Sequence, residues 1–203
     1  MDYIDKRENL EIYSDVKAEI MSYIEKNLSE RRLKHTCSVV NEAIKLAKHY
    51  GEDVKKAELA ALFHDMFRST PASVLNMYIR QLGLPKNIMD NPNLSHGKIA
   101  AEMIQRDFGI TDQDIINAVS YHTTGRANMS LLEKVIYIAD AIEPNRKYPG
   151  VNDLREAVKE DLDNAILMSL NRTINYVTSE GNYLDEDTIH AKQYLEEYIN
   201  KGE

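Results

Sequence analysis

Cysteine is almost missing from this chain of 203 residues: Cys37 stands alone, so no intrachain disulfide can form and a cysteine-rich zinc finger is excluded. Cys37 is read as a small core residue in a reducing compartment. Chain breakers are scarce too, with 8 glycines and 5 prolines, and the apolar residues recur at helical rather than alternating spacing. The fold class read from this is all-α, a single-domain helical bundle. No apolar run reaches the roughly 18 residues of a membrane span, and Met1 to Leu10 is charged rather than signal-like. The chain is therefore expected to be cytoplasmic, with no membrane partner. Positive charge is also in short supply: 25 Lys and Arg stand against 33 Asp and Glu, a net charge of −8. That balance argues against a nucleic-acid partner, because the phosphate backbone attracts basic surfaces. A phosphorylated ligand would have to be held by local charge.

What is present is a succession of helix signals. Ile12, Val16, Ile20 and Ile24 step by four along one helix, which ends at Asn27-Leu28 before Ser29 caps a second running to Gly51, with His35 near its start. A third helix from about Asp53 carries Ala57, Ala60 and Ala61 ahead of His64. Thr70-Pro71 predicts a cap and first helical residue; Pro85 to Asn93 reads as a loop; Ser95 opens a helix with His96 in its first turn. Thr111 with Asp114 predicts a capping box for a helix ending at His122, and Ser130 with Glu133 a second box for a helix with Asp140 in its third turn. Pro144, Pro149 and Gly150 break the chain, and helical patterns then fill roughly Asn152 to Thr178 and Asp187 to Asn200. No linker interrupts this order. One domain over 1–203 is expected, with a metal-binding core at about 29–145 and C-terminal helices at about 152–200.

The chemistry lies in acids and histidines set on apolar faces. Asp140 interrupts the run Val135 to Ala139, and an unpaired buried carboxylate costs several kcal/mol or gives up its charge. Asp65, after Ala61-Leu62-Phe63, has the same difficulty. One divalent metal bound by both, with His35 and His64 completing its shell, would satisfy them. Ligands of this kind suit iron, manganese, cobalt or zinc better than magnesium alone.

The order His35, His64-Asp65, Asp140 is that of HD-domain phosphohydrolases, and His96 and His122 between them mark the dinuclear kind. Arg32 to Thr36, Tyr121 to Arg126, Met129 to Lys134 and Tyr137 to Arg146 closely resemble the YqeK family of HD-domain hydrolases, which act symmetrically on diadenosine tetraphosphate. The resemblance runs from about Ser29 to Tyr194. It implies an HD-type bundle and cleavage of a small-molecule nucleotide, diadenosine tetraphosphate, into two ADP by a hydroxide activated between two metal ions, with iron the expected metal. It also implies that His35, His64, Asp65 and Asp140 hold one ion and His96 and His122 the second, with Asp65 bridging. Where that family carries a lysine after the His-Asp pair, this chain has Arg68, a planar fork instead of a point charge.

Around this centre Arg126 is read as the main phosphate clamp, helped by Thr123, Thr124 and the Gly125 loop amides. Arg68 and Arg146 come next, so Asp65, Arg126 and Arg68 form the expected catalytic set. Lys98 is a weaker candidate. Tyr137, Tyr148 and Tyr183 are read as core or surface residues, and His49 and His190 stand outside the site. Alternatives are the same centre acting on another nucleotide or alarmone, a nucleotide sensor without turnover, and a di-iron oxygenase. A homodimer is left open.

Overall fold

In a computed structural model the chain is described over residues 2–202, with side chains described from 13 to 201, so the expected core role of Ile12 lies outside the described residues. Among them are ten α-helices and no strand. The first three are α1 (Asp2–Asn27), α2 (Glu30–Tyr50) and α3 (Val54–Phe63); α4 (Ala72–Leu82) and a short 3-10 turn (Lys86–Ile88) follow. Next come α5 (Pro92–Phe108), α6 (Gln113–Tyr121) and α7 (Leu131–Ile142), then α8 (Val151–Glu160), α9 (Leu162–Ser179) and α10 (Glu186–Gly202). No described helix is long and apolar enough to cross a membrane.

The hub is α7, which packs against α2, α3, α6, α8 and α9. Leu132, Val135, Ile136, Ile138, Ala139 and Ile142 are all buried, so this helix is covered nearly all round. Its start is fixed by a complete capping box: the Ser130 side chain accepts from the Glu133 amide while the Glu133 carboxylate accepts from the Ser130 amide. On α3, Ala57, Ala60 and Ala61 are fully buried. Their lack of bulk lets α2, α6 and α7 close around the end of α3, where His64 and Asp65 emerge. Val16, Ile20 and Ile24 bury as expected along α1, each such side chain contributing about 1.5–3 kcal/mol.

Several boundaries differ from the sequence reading. Pro71, not Thr70, is the residue preceding α4, and its carbonyl accepts from the amides of Val74 and Leu75. Helix α5 starts earlier than Ser95, with Pro92 at its first position; Ser95 instead bonds back to the Asn91 carbonyl, and His96 sits in the second turn. Asp112, not Thr111, caps α6, accepting from the amides of Asp114 and Ile115. The span expected as one helix from Asn152 is two, because Asp161 is extended (φ −150°, ψ 115°) and caps α9 through the Asn164 amide. Cys37 is exposed on α2 rather than in the core.

Candidate metal centre

Six side chains from five segments meet at one end of the bundle. His35 comes from the second turn of α2. His64 ends α3 and Asp65 follows it in a run of tight turns, where the Arg68 amide donates to the Asp65 carbonyl at 2.8 Å. His96 comes from α5, His122 ends α6, and Asp140 comes from the third turn of α7. They form two groups. The ligand atoms of His35, His64 and Asp140 lie within 4.8 Å of one another, as do those of Asp65, His96 and His122. Asp65 also joins the groups: its Oδ2 is 3.6 Å from His35 Nε2 and 3.8 Å from His64 Nε2, while its Oδ1 is 3.1 Å from His96 Nε2 and 4.0 Å from His122 Nε2.

Hydrogen bonds on the far side of each ring decide what the near side offers. His64 Nδ1 is 2.6 Å from the Ala61 carbonyl, His96 Nδ1 2.7 Å from that of Pro92, and His122 Nδ1 2.7 Å from that of Val119. A carbonyl only accepts, so each Nδ1 carries the proton and each Nε2 presents a lone pair inward. His35 is oriented by a side chain, its Nδ1 3.1 Å from Glu143 Oε1. The Nε2 atoms of His96 and His122 then face each other at 3.0 Å, two acceptors with no proton between them. The buried Nε2 atoms of His35 and His64 lack a hydrogen-bond partner, although His35 Nε2 is 2.9 Å from Asp140 Oδ1. Converging lone pairs with no donor are the arrangement a cation would satisfy.

The electrostatics agree. Burial pushes the Asp65 carboxyl up, but His64, His96 and His122 around it hold it well below the ordinary carboxylate range. Burial, followed by His96 and His64, pushes the His122 imidazole down to about 3. Burial also lowers His35, but Asp140 and then Glu143 outweigh it and hold that ring above its ordinary value. Asp140 is less desolvated than its place in an apolar run suggested: its side chain is 19% exposed and pairs with Arg146. Asp65, at 4%, is the buried acid.

A cleft of about 260 Å³ opens onto four of these six side chains. Arg32, Arg68 and Arg146 line it beside Asp65, His96, His122 and Asp140, with Thr123 and Thr124 on the same wall. Across from them, α9 contributes Tyr176 and Val177, the connection after it Tyr183, Leu184 and Asp185, and α10 Thr188. The Arg32 Nη1 donates to Asp65 Oδ2 at 3.0 Å, and Arg68 donates to Asn93.

Two expectations about the loop after His122 are corrected. Arg126 does not line the cleft: it makes a two-pronged pair with Glu133, at 2.6 and 2.7 Å, and donates to the Ala127 carbonyl at 3.2 Å. The buried capping-box carboxylate requires a cation there. Gly125 (φ +66°) does not line the cleft either, and its amide donates to the Tyr121 carbonyl at 2.7 Å. Lys98 is engaged elsewhere, 3.0 Å from Asp187 and over the Tyr121 ring. Tyr137 is buried in the core, Tyr148 donates to the Ala141 carbonyl, and His49 packs edge-on to Tyr50.

Residues 32–145 match the HD domain family. The chain belongs to the HD-domain family. Among its relatives is a protein named symmetrical bis(5'-nucleosyl)-tetraphosphatase from Bacillus subtilis, 39% identical over 88% of this chain and 97% of that protein. Another with the same name, from Staphylococcus aureus, is 34% identical over 82% of this chain and 88% of the relative. A crystal structure from Clostridium acetobutylicum, described as a predicted HD superfamily hydrolase involved in NAD metabolism, superposes with a TM-score of 0.85 at 42% identity. That match covers 89% of this chain and 97% of the other.

Two polar residues of this HD-domain site were missed from sequence. Arg32 precedes His35 by three positions on α2, a spacing that puts both on one face. Glu143 follows Asp140 by three on α7 and is buried, with Oε1 on His35 and Oε2 accepting from the Asn145 amide at 2.7 Å. The helical offset was readable in both cases. The cleft wall from Tyr176 to Asp185 carried no local signal, since it depends on how α9 and α10 fold back.

Proposed function

We propose that this HD-domain protein hydrolyses dinucleoside polyphosphates, cutting diadenosine tetraphosphate symmetrically into two ADP. The observation that carries the chemistry is Asp65, one oxygen toward each histidine group, beneath three cleft arginines; the relatives' names supply the substrate. His35, His64, Asp65 and Asp140 would hold one metal ion, with His96, His122 and Asp65 holding the other, and iron is the expected metal. When bound, such a pair supplies a water of lowered pKa and charge stabilisation at the phosphoryl oxygens.

The chain's own part is largely positioning. Carbonyl bonds fix the tautomers of His64, His96 and His122 before any ligand arrives, so no rearrangement cost falls on the reaction. Arg32, Arg68 and Arg146 meet the phosphates of the substrate, and Arg offers planar two-point contact to each. Thr123 and Thr124 add hydroxyl contacts. Tyr176, Val177, Tyr183 and Leu184 form the apolar side against which a nucleoside would rest. In this reading residues 1–203 act as one unit, supported by α9 and α10 lining the same cleft as the ligands. The test is the product profile of protein purified anaerobically and supplied with ferrous iron: ADP alone is expected from diadenosine tetraphosphate. AMP with ATP would overturn the symmetrical cut, and no turnover would overturn the assigned substrate.

A further inference from the structure

Beside the cleft lies a second recess of about 260 Å³ that the proposed chemistry does not use. Arg31, Arg32, Lys34 and Arg146 line it, with His35 at its inner end. Arg32 and Arg146 line both spaces, and each is paired with a carboxylate of the cleft, Arg32 with Asp65 and Arg146 with Asp140. Its one carboxylate, Glu143, is already committed on both oxygens, to His35 and to Asn145. The side chains of Arg31 and Lys34 make no ion pair or hydrogen bond among the described residues, and Arg32 uses only Nη1, on Asp65.

Four cations in one recess of a chain with a net charge of −8 call for a cause, and helix stability is not it. Arg31 and Arg32 stand in the first turn of α2, the end where the helix dipole disfavours a cation. An anionic ligand would offset that cost. The lining lacks aromatic and aliphatic residues, which leaves phosphate rather than a nucleobase as the chemistry it fits.

We propose that this recess is the second arm of the site, holding through its phosphates the half of a dinucleoside polyphosphate beyond the scissile bond, while the tyrosine-lined cleft holds the other half. The proposal rests on the dinucleotide reading above. A cut at the centre of four phosphates leaves two on each side of the ligand atoms, so cationic contacts are needed on both sides. It follows that the nucleoside in the recess half has no aromatic contact there.

The test uses the metal-loaded enzyme with both exposed cations neutralised, Arg31→Gln with Lys34→Gln. The KM for diadenosine tetraphosphate should rise about tenfold, as expected for lost charge-assisted contacts, with kcat and the inhibition constant of ADP nearly unchanged, since one ADP still binds in the cleft. The charge-keeping pair Arg31→Lys with Lys34→Arg should retain the wild-type KM. An unchanged KM in the neutralised enzyme overturns the arm. So does an equal rise in the KM and in the ADP constant, which a long-range field would give, or a charge-keeping pair as impaired as the neutral one. Failure of the wild-type enzyme to cleave the dinucleotide overturns the substrate reading and the arm together, an outcome distinct from loss of the arm alone.

Discussion

The two ligand groups are oriented by different means. In the group of Asp65, His96 and His122 both rings lean on backbone carbonyls, and all three residues are at most 3% exposed. The group of His35, His64 and Asp140 is mixed: the Ala61 carbonyl holds His64, but Glu143 holds His35 and Arg146 pairs with a partly exposed Asp140. Backbone orientation is insensitive to most substitutions, whereas side-chain orientation can be tuned, and a carboxylate behind a histidine raises its basicity as a ligand. Both histidines of the first group are thus fixed by helix geometry, whereas in the second His35 and Asp140 answer to side chains.

The shared member gives the largest expected effect. Asp65→Ala should strip metal from both groups and take turnover to background, because one side chain faces all four histidines. Elemental analysis beside the assay checks it; metal lost from one group alone would mean that Asp65 does not bridge. Next is Glu143→Gln, which keeps shape but removes the charge behind His35. Metal affinity at His35 and His64 should fall by about 10–100-fold, while that at His96 and His122 holds. Equal loss at both, read by metal titration, would dissolve the distinction.

No side chain stands behind His96 or His122, but Gly97 lies against His122. A Cβ there would lie 2.8 Å from His122 Cε1 and 2.9 Å from the Val119 carbonyl, the same carbonyl that orients His122. Alanine normally favours a helix interior over glycine by about 1 kcal/mol, so Gly97→Ala would stabilise α5 if space allowed. Here it should lower the melting temperature, at a cost of about 1–3 kcal/mol for overpacking, and weaken metal binding at His96 and His122 only. A raised melting temperature with both sites filled would show that α5 and α6 can part without consequence.

This contrast also explains what the sequence could and could not convey. Asp65 and Asp140 were legible because a carboxylate on an apolar helix face is costly without a partner, His96 and His122 were assigned through the resemblance to dinuclear HD-domain hydrolases, and Ser130 with Glu133 marked the start of α7. Arg126 was misread for a related reason: proximity to His122 in sequence suggested the cleft, while the buried Glu133 seven residues on held the stronger claim on its guanidinium. Helix starts slipped where two capping residues stood side by side, as at Thr111 and Asp112. The cations Arg31, Arg32 and Lys34 were legible as a run on α2, but the closing of the recess by Arg146 from beyond α7, and the return of the chain after α9 onto the cleft, are encoded by no local pattern.

The smallest expected effect is a difference in sign with pH, visible in the metal-free protein. His122 is pushed down to about 3 from 6.5, and His64 is lowered from the same value by burial. Between about 3 and 6.5 the unfolded chain therefore binds more protons than the folded one at these positions, and their contribution to stability is lost as pH falls through that window. Asp65 and Asp140, both held below 3.8, add a loss of the same sign below that value. His35 is opposite: its raised affinity for a proton contributes stability below 6.5 that disappears as pH rises through its folded value. The melting temperature should climb from about pH 4 to about 6.5 and then stop climbing as His35 gives up its proton. Glu143→Gln should remove part of that upper limit and, because Glu143 is itself held below 4.5 by the Asn145 amide and His35 against its burial, soften the climb below that value, while leaving the rise between about 4.5 and 6.5 that His122 and His64 give. A melting temperature that falls between pH 4 and 6.5 would mean that the buried histidines enter the metal-free fold charged, and that backbone carbonyls do not set their tautomers.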